Sequence, residues 1–224
     1  MRIIDCNQNT PEWFSARAGV FSASEYGPYI TGSGKTADTA RLKYILQKIR
    51  DTQVKDAWEI QEEDKEEKAM SYNIAVQRGN ALEPEAREWY EQHSGQIVTK
   101  IGFITDDAGN IGCSPDGMLV GDNEHPWSHG IEIKCPMPTT HLRRLLDGAL
   151  PDEHKYQVHG SMAITGLNRW DYLSYCPGEA PLLITVRRDA FTEDLLRGLH
   201  AMVQERDRIK AKLASLWQAA YGKK

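Results

Sequence analysis

The chain has 224 residues, of which 40% are hydrophobic and 26% charged, enough to bury one sizeable core and to form a single domain over 1–224. A formal net charge of −5 excludes a protein coated in basic surface for generic DNA binding, but not one with a basic channel. With no apolar run of about 18 residues and too short an apolar start for a signal peptide, the sequence predicts a protein without membrane contact, in the cytoplasm; its four scattered cysteines lack a Cys-X-X-Cys pair and read as reduced packing residues.

Pro11 to Arg17 predicts a short helix, with proline where the first turn tolerates its missing N–H, and Gly19 ends it. Ser22 or Ser24 can cap the next helix; with its amides and with Arg17 they would form a pocket for an anionic phosphate. Thr31 to Thr36 ends like a P-loop, but Tyr29 stands where the first glycine is needed, so this stretch reads as a plain loop. A helix is expected from about Ala37 to Asp51, with Leu42, Ile45, Leu46 and Ile49 on its buried stripe. An acidic run, Glu59 to Glu67, precedes a longer helix from about Ala69 to His93. Pro84 removes a ladder donor within it and should kink or restart it, and a kink there would turn Glu83 inward.

Gln96 to Thr105 and Ile111 to Val120 read as strands joined by a turn at Asp107 to Asn110, the second strand carrying Asp116 after Pro115. Asp122 to Gly130 reads as a turn, with His125 and His129 in a surface loop, before an apolar strand from Ile131 to Lys134. Glu132 and Lys134, two apart, share one face of that strand and can converge with Asp116. Taken singly, Pro-Asp-Gly is usually a turn and Glu-X-Lys a solvated ion pair. Together they suit metal-dependent phosphodiester cleavage: carboxylate oxygens and the Ile133 carbonyl hold Mg²⁺, and a lysine assists the attacking water. A helix from about Thr139 to Leu146 offers Arg143 and Arg144 to phosphate. Another, about Glu153 to Thr165, carries Gln157 and Ser161, and buried strands follow at Trp170 to Tyr175 and Leu182 to Val186 before a basic helix from Asp189 to Trp217. This order predicts an α+β (α/β-type) domain, a mixed central β-sheet flanked by helices.

Several ordered marks resemble the bacteriophage lambda exonuclease family, the viral alkaline exonuclease branch of the Pro-Asp, Asp/Glu-X-Lys nucleases with a restriction-endonuclease-like core. They are Trp13 with Arg17 to Val20, Ser22 to Glu25, Gly79 with Glu83, Cys113 to Gly117, Glu132 to Pro136, and Gln157. The resemblance implies that Asp116, Glu132 and the Ile133 carbonyl bind two Mg²⁺ ions, with Mn²⁺ as a substitute. It makes Glu83 a further acidic ligand, directly or through water, Lys134 the residue that activates water, and Gln157 a group that places the water or the phosphate. Arg17, Ser24 and Ser114 would hold the 5′ phosphate of the strand being degraded. The family digests duplex DNA from 5′ ends to leave 3′ overhangs, forms ring-shaped homotrimers and works beside a single-strand annealing protein in phage recombination, so a bacterial host cytoplasm is implied. Where related nucleases follow the glutamine with a tyrosine four residues on, this chain has Ser161, leaving His159 as a local substitute contact. Two alternatives to the exonuclease are an endonuclease of the same core, which would cut closed circles, and a non-catalytic DNA-binding module.

Overall fold

The computed structural model describes residues 1–31, 35–52, 70–123 and 126–222; the acidic run Glu59 to Glu67, His125 and the middle of the Thr31 to Thr36 loop fall outside them. Two sheets form the frame. Four strands pair in the order β1 (Arg2–Ile4), β4 (Phe103–Thr105), β5 (Ile111–Cys113), β2 (Phe21–Ser22). Five pair in the order β3 (Val98–Thr99), β6 (Gly117–Val120), β7 (Trp127–Lys134), β8 (Arg169–Ser174), β9 (Leu182–Arg187). Both sheets are mixed: β2–β5 and β7–β8 run parallel, the other pairs antiparallel.

The two long strands expected on either side of the Asp107 turn are each broken, and their halves belong to different sheets. In the first, Gly102 passes so close to the N-terminal segment that a Cβ there would lie 2.1 Å from the Cys6 carbonyl oxygen. In the second, Pro115 has no N–H to give a ladder, and Ser114, Pro115 and Asp116 lie between β5 and β6. Asp116 thus sits where the chain crosses from one sheet to the other. The turn expected over Asp122 to Gly130 is also shorter than the sequence implies, because β7 already begins at Trp127. Gly130 lets the Trp170 ring lie flat on the strand, since a Cβ would come within 2.3 Å of that ring. His129, on the opposite face of β7 from Trp170, is buried, not in a surface loop, and its Nε2 lies 3.0 Å from the Tyr90 hydroxyl.

Helices cover both faces of the larger sheet. On one, α4 (Met70–Ser94) sets Ala86 and Tyr90 against Ile131, Ile133 and Leu173, and the helix continues through Pro84. On the other, α6 (Asp152–Thr165) and α7 (Ala190–Tyr221) pack Val158, Met162, Leu195 and Leu199 on Trp170 and Tyr172. The parallel β7–β8 pair requires a crossover, and α5 (Pro138–Asp147) with α6 supplies it. The side chain of Asp189 caps α7 and exchanges hydrogen bonds with Thr192, satisfying backbone donors that a helix start leaves open.

Toward the N-terminus, α1 (Pro11–Arg17) is capped by Thr10, and α2 (Gly27–Thr31) and α3 (Lys35–Asp51) follow β2. The buried face of α3 is rotated from the expected one. Tyr44, Ile45, Lys48 and Ile49 are buried, while Leu42 and Leu46 are 42% and 40% exposed. Both stripes share Ile45 and Ile49; Lys48 and Tyr44, which both bond Glu25, select the one that faces inward.

Candidate active site

Asp116, Glu132, Lys134 and Gln157 share the wall of one cavity of about 150 Å³ with Arg17, Ser24 and Ser114. Residues distant in the chain meet here because five segments, α1, the turn after β2, the crossing between the sheets, β7 and α6, converge at this point. Glu132 and Lys134 stand on the face of β7 that looks toward α6, and Gln157 and Ser161, one turn apart on α6, look back at them. Asp116 enters from the crossing between the sheets. The Ile133 N–H donates to its Oδ2 at 2.6 Å, and its own N–H donates to the Ile131 carbonyl at 3.2 Å. The N–H and C=O of one strand residue point to the same side, so the Ile133 carbonyl also faces Asp116, beyond the last β6 pairing at Gly117 and Ile131.

The electrostatics favour a cation. Burial pushes the Asp116 carboxyl well above the usual carboxylate range, and Glu132 and Glu83 add to it against the opposing pull of Lys134 and the Ile133 N–H. Glu132 is raised in the same way, by burial first and then by Glu83. Burial also disfavours the Lys134 ammonium, but Glu132 and Asp116 outweigh it and raise its pKa, and its Nζ donates to Glu132 Oε1 at 2.6 Å. The second oxygen, Glu132 Oε2, is buried without a hydrogen-bond partner. A buried, unpaired carboxylate oxygen is costly, and a hard cation against it would remove the cost. Two carboxylates and a backbone carbonyl are a donor set that suits Mg²⁺, which keeps several of its own waters. Among the described residues no three His, Cys, Asp or Glu side chains come together as a ready cation site; Glu83 instead pairs with Arg87, in a neighbouring cleft that Asp116 also lines.

Across the cavity, the Arg17 guanidinium lies over the Trp13 ring at 4.2 Å and donates to Glu25 at 2.7 Å, to Ser114 Oγ at 3.3 Å and to Ser24 Oγ at 3.5 Å. Trp13 Nε1 also donates to Ser114, at 2.8 Å. Burial alone would raise Glu25, yet Lys48 at 2.8 Å and Arg17 hold it below its ordinary value. The pairing of Arg17 with Glu25 therefore coexists with its place in the cavity.

Several expectations need correction. Neither Ser22 nor Ser24 caps a helix: α2 begins only at Gly27, and Ser22 accepts the backbone N–H groups of Glu25 and Tyr26 in a turn, so no helix dipole supports Ser24. His159 lies outside the cavity lining, its Nδ1 2.7 Å from Thr192 Oγ1 and its ring against Phe191. Arg144 is buried and bound to Glu153 and His154, although Arg143 is exposed. Cys113 and Cys135 are buried and their thiols are pushed up to about 12, chiefly by burial, so they pack rather than ligate. Sequence reasoning missed Gln8, whose amide donates to the Ile101 and Pro115 carbonyls at 3.1 and 2.9 Å and thereby holds the peptide just before Asp116. No periodicity or spacing marks such a residue.

Residues 12–168 match the model of the YqaJ-like viral recombinase domain. The chain belongs to that family. Two crystal structures of LHK-Exo, an alkaline exonuclease from Laribacter hongkongensis, one of them in complex with dAMP, resemble this YqaJ-like protein with a TM-score of 0.67 and 30% identity. Each covers 92% of this chain and 100% of the other. A phage-related exonuclease from Haemophilus somnus, at 13% identity and a TM-score of 0.55 over 87% of this chain and 96% of its own, shares the fold. A comparison with curated proteins gave no match. The YqaJ-like chain thus has the mixed α/β fold of the exonucleases, and its relatives of known structure place it among viral-recombinase-type alkaline exonucleases.

Proposed function

We propose that this protein is one nuclease domain that digests duplex DNA from 5′ ends, with Mg²⁺ as its cofactor, leaving 3′ single-stranded overhangs. The observation that carries the reading is the shared cavity: Asp116, Glu132 and Lys134 face the same space as Arg17, Ser24 and Ser114. Reactive carboxylates and an anion-binding corner so close together suit a strand terminus, whose phosphate carries about one more negative charge than an internal diester.

Asp116, Glu132 and the Ile133 carbonyl would hold the metal, with Glu83 contributing directly or through water. Two bound Mg²⁺ ions, or Mn²⁺ in their place, would supply Lewis-acid stabilisation of the attacking and leaving oxygens. The residues themselves do the rest. Lys134, kept charged by the two carboxylates, stabilises negative charge as it develops and orients the attacking water. Gln157 offers an amide donor and acceptor to that water or to the scissile phosphate. Arg17 and the Ser24 and Ser114 hydroxyls hold the terminal 5′ phosphate by charge-assisted hydrogen bonds, and each turnover presents them with a fresh one.

The proposal extends to a homotrimer encircling DNA, to a single-strand annealing protein as partner in phage-type recombination, and to work in the cytoplasm of a bacterial host; among the described residues no helix is long and apolar enough to cross a membrane. The test is digestion of linear duplex labelled at either end, with and without a 5′ phosphate, beside closed circular DNA. Loss of 5′ label first, faster digestion of phosphorylated ends and intact circles are expected. Cutting of circles would instead identify an endonuclease of the same core, and light scattering of the free protein reads the trimer.

A further inference from the structure

A second, larger cleft of about 440 Å³ adjoins the cavity just described, and the two share Gln8 and Asp116. Its walls come from α4, through Asn80, Glu83 and Arg87, from the N-terminal segment and from Lys100. Its volume falls in the range of ordinary ligand pockets, about 300–1,000 Å³, whereas the smaller cavity falls below it. The small cavity can take phosphates and an attacking water, but not the body of a strand. A strand whose end lies at Arg17 and whose scissile phosphate lies at Asp116 has to continue past Asp116, and the larger cleft opens there.

The chemistry of this cleft suits a sugar–phosphate chain. Glu83 pairs with Arg87, whose side chain is buried and also donates to the Asp116 carbonyl at 3.2 Å, so this pair lines the wall nearest the metal-binding residues. Lys100 is exposed and, among the described residues, has no carboxylate partner. Asn7, Asn9 and Asn80 line the same space and carry amide donors without fixed charge, as phosphate and sugar contacts commonly require, while the Gln8 amide is committed to the Ile101 and Pro115 carbonyls. Asn9 holds its loop in the left-handed region, φ 65°, which asparagine tolerates better than most residues. Asp5 is the remaining acid in the lining.

We propose that this cleft is a second nucleotide subsite, in which Lys100 and Asn80 bind the phosphodiester one linkage beyond the scissile bond. The inference rests on the exonuclease reading above. It makes these residues determinants of how long a strand must be to bind fully, a property that the terminal-phosphate corner cannot set.

Binding can be measured by calorimetry with Ca²⁺ in place of Mg²⁺, using 5′-phosphorylated thymidine mononucleotide, trinucleotide, and a trinucleotide whose second linkage is a neutral methylphosphonate. Wild type should bind the trinucleotide more tightly than the mononucleotide. Lys100→Ala should lose about tenfold on the trinucleotide, nothing on the mononucleotide and nothing on the methylphosphonate. The subsite is refuted if wild type gains no affinity from the longer strand, or if Lys100→Ala weakens all three probes alike. Arg17→Ala in the same assay separates the two ideas: its loss on the mononucleotide reads the terminal-phosphate corner, whereas the Lys100 comparison reads the second linkage alone.

Discussion

Replacing Arg17 by alanine removes a guanidinium that is already engaged. Of its five N–H donors, one is committed to Glu25 at 2.7 Å, while the bonds to Ser114 and Ser24 are long, at 3.3 and 3.5 Å. An arriving 5′ phosphate would take over those weaker contacts and leave the Glu25 pair in place. Since a hydrogen bond to a charged group contributes roughly 1.5–3 kcal/mol, Arg17→Ala should slow single-turnover digestion of 5′-phosphorylated duplex about tenfold to a hundredfold. A 5′-hydroxyl duplex, already slow, should change far less. Arg17→Lys should recover little, because a point charge cannot bridge the two serines as the planar fork does. The stack on Trp13 at 4.2 Å contributes stability as well, roughly 0.5–2 kcal/mol, so both variants need a melting curve alongside the kinetics. Equal slowing of phosphorylated and hydroxyl ends by a folded Arg17→Ala would refute the terminal-phosphate role and leave Arg17 as a structural or general DNA contact.

Asp116→Asn and Glu132→Gln should abolish digestion, and Asp116→Asn should do so without lowering the metal-free melting temperature, since burial and the neighbouring Glu132 and Glu83 already oppose its charged form; substantial residual Mg²⁺-dependent cleavage would remove either from the metal site. Lys134→Ala should lower kcat with metal affinity mostly kept; the reverse pattern would reassign the lysine to metal retention. Asp171, buried behind the site, accepts bonds from Arg169 at 2.9 and 2.6 Å, Tyr90 at 2.7 Å and Thr185 at 2.9 Å. Asp171→Ala should therefore destabilise by at least roughly 1.5–3 kcal/mol in urea unfolding, the usual contribution of a hydrogen bond to a charged group. For Glu25, burial is outweighed by Lys48 and Arg17 and its folded pKa is lowered. Its contribution to stability is thus full above the ordinary carboxylate value, ~4, and is lost as pH falls through the folded value. Unfolding of wild type and Glu25→Gln should differ most near neutrality and converge in acid; a constant gap would contradict this.

Most of the helices were legible because their signals are local. Pro11 in a first turn and the polar start at Asp189 need no tertiary information. The alternation that puts Glu132 and Lys134 on one face of β7 is equally local, and so was the hard-donor character of Asp116 and Glu132. What the local pattern could not reveal is which neighbour each apolar or polar face would meet. The strands around Asp107 split between two sheets because Gly102 and Pro115 interrupt their ladders, and α3 turned Leu42 outward because Glu25 holds Lys48 and Tyr44. His129 reads as a loop residue in sequence and is buried only because Tyr90 and Asp171 arrive from other elements to bond it. The meeting of Arg17, Ser24 and Ser114 with the carboxylates is of the same kind. Side-chain chemistry is written residue by residue, but convergence depends on long-range packing, and here only the folded chain brings α1, the turn after β2, the sheet crossing, β7 and α6 to one cavity.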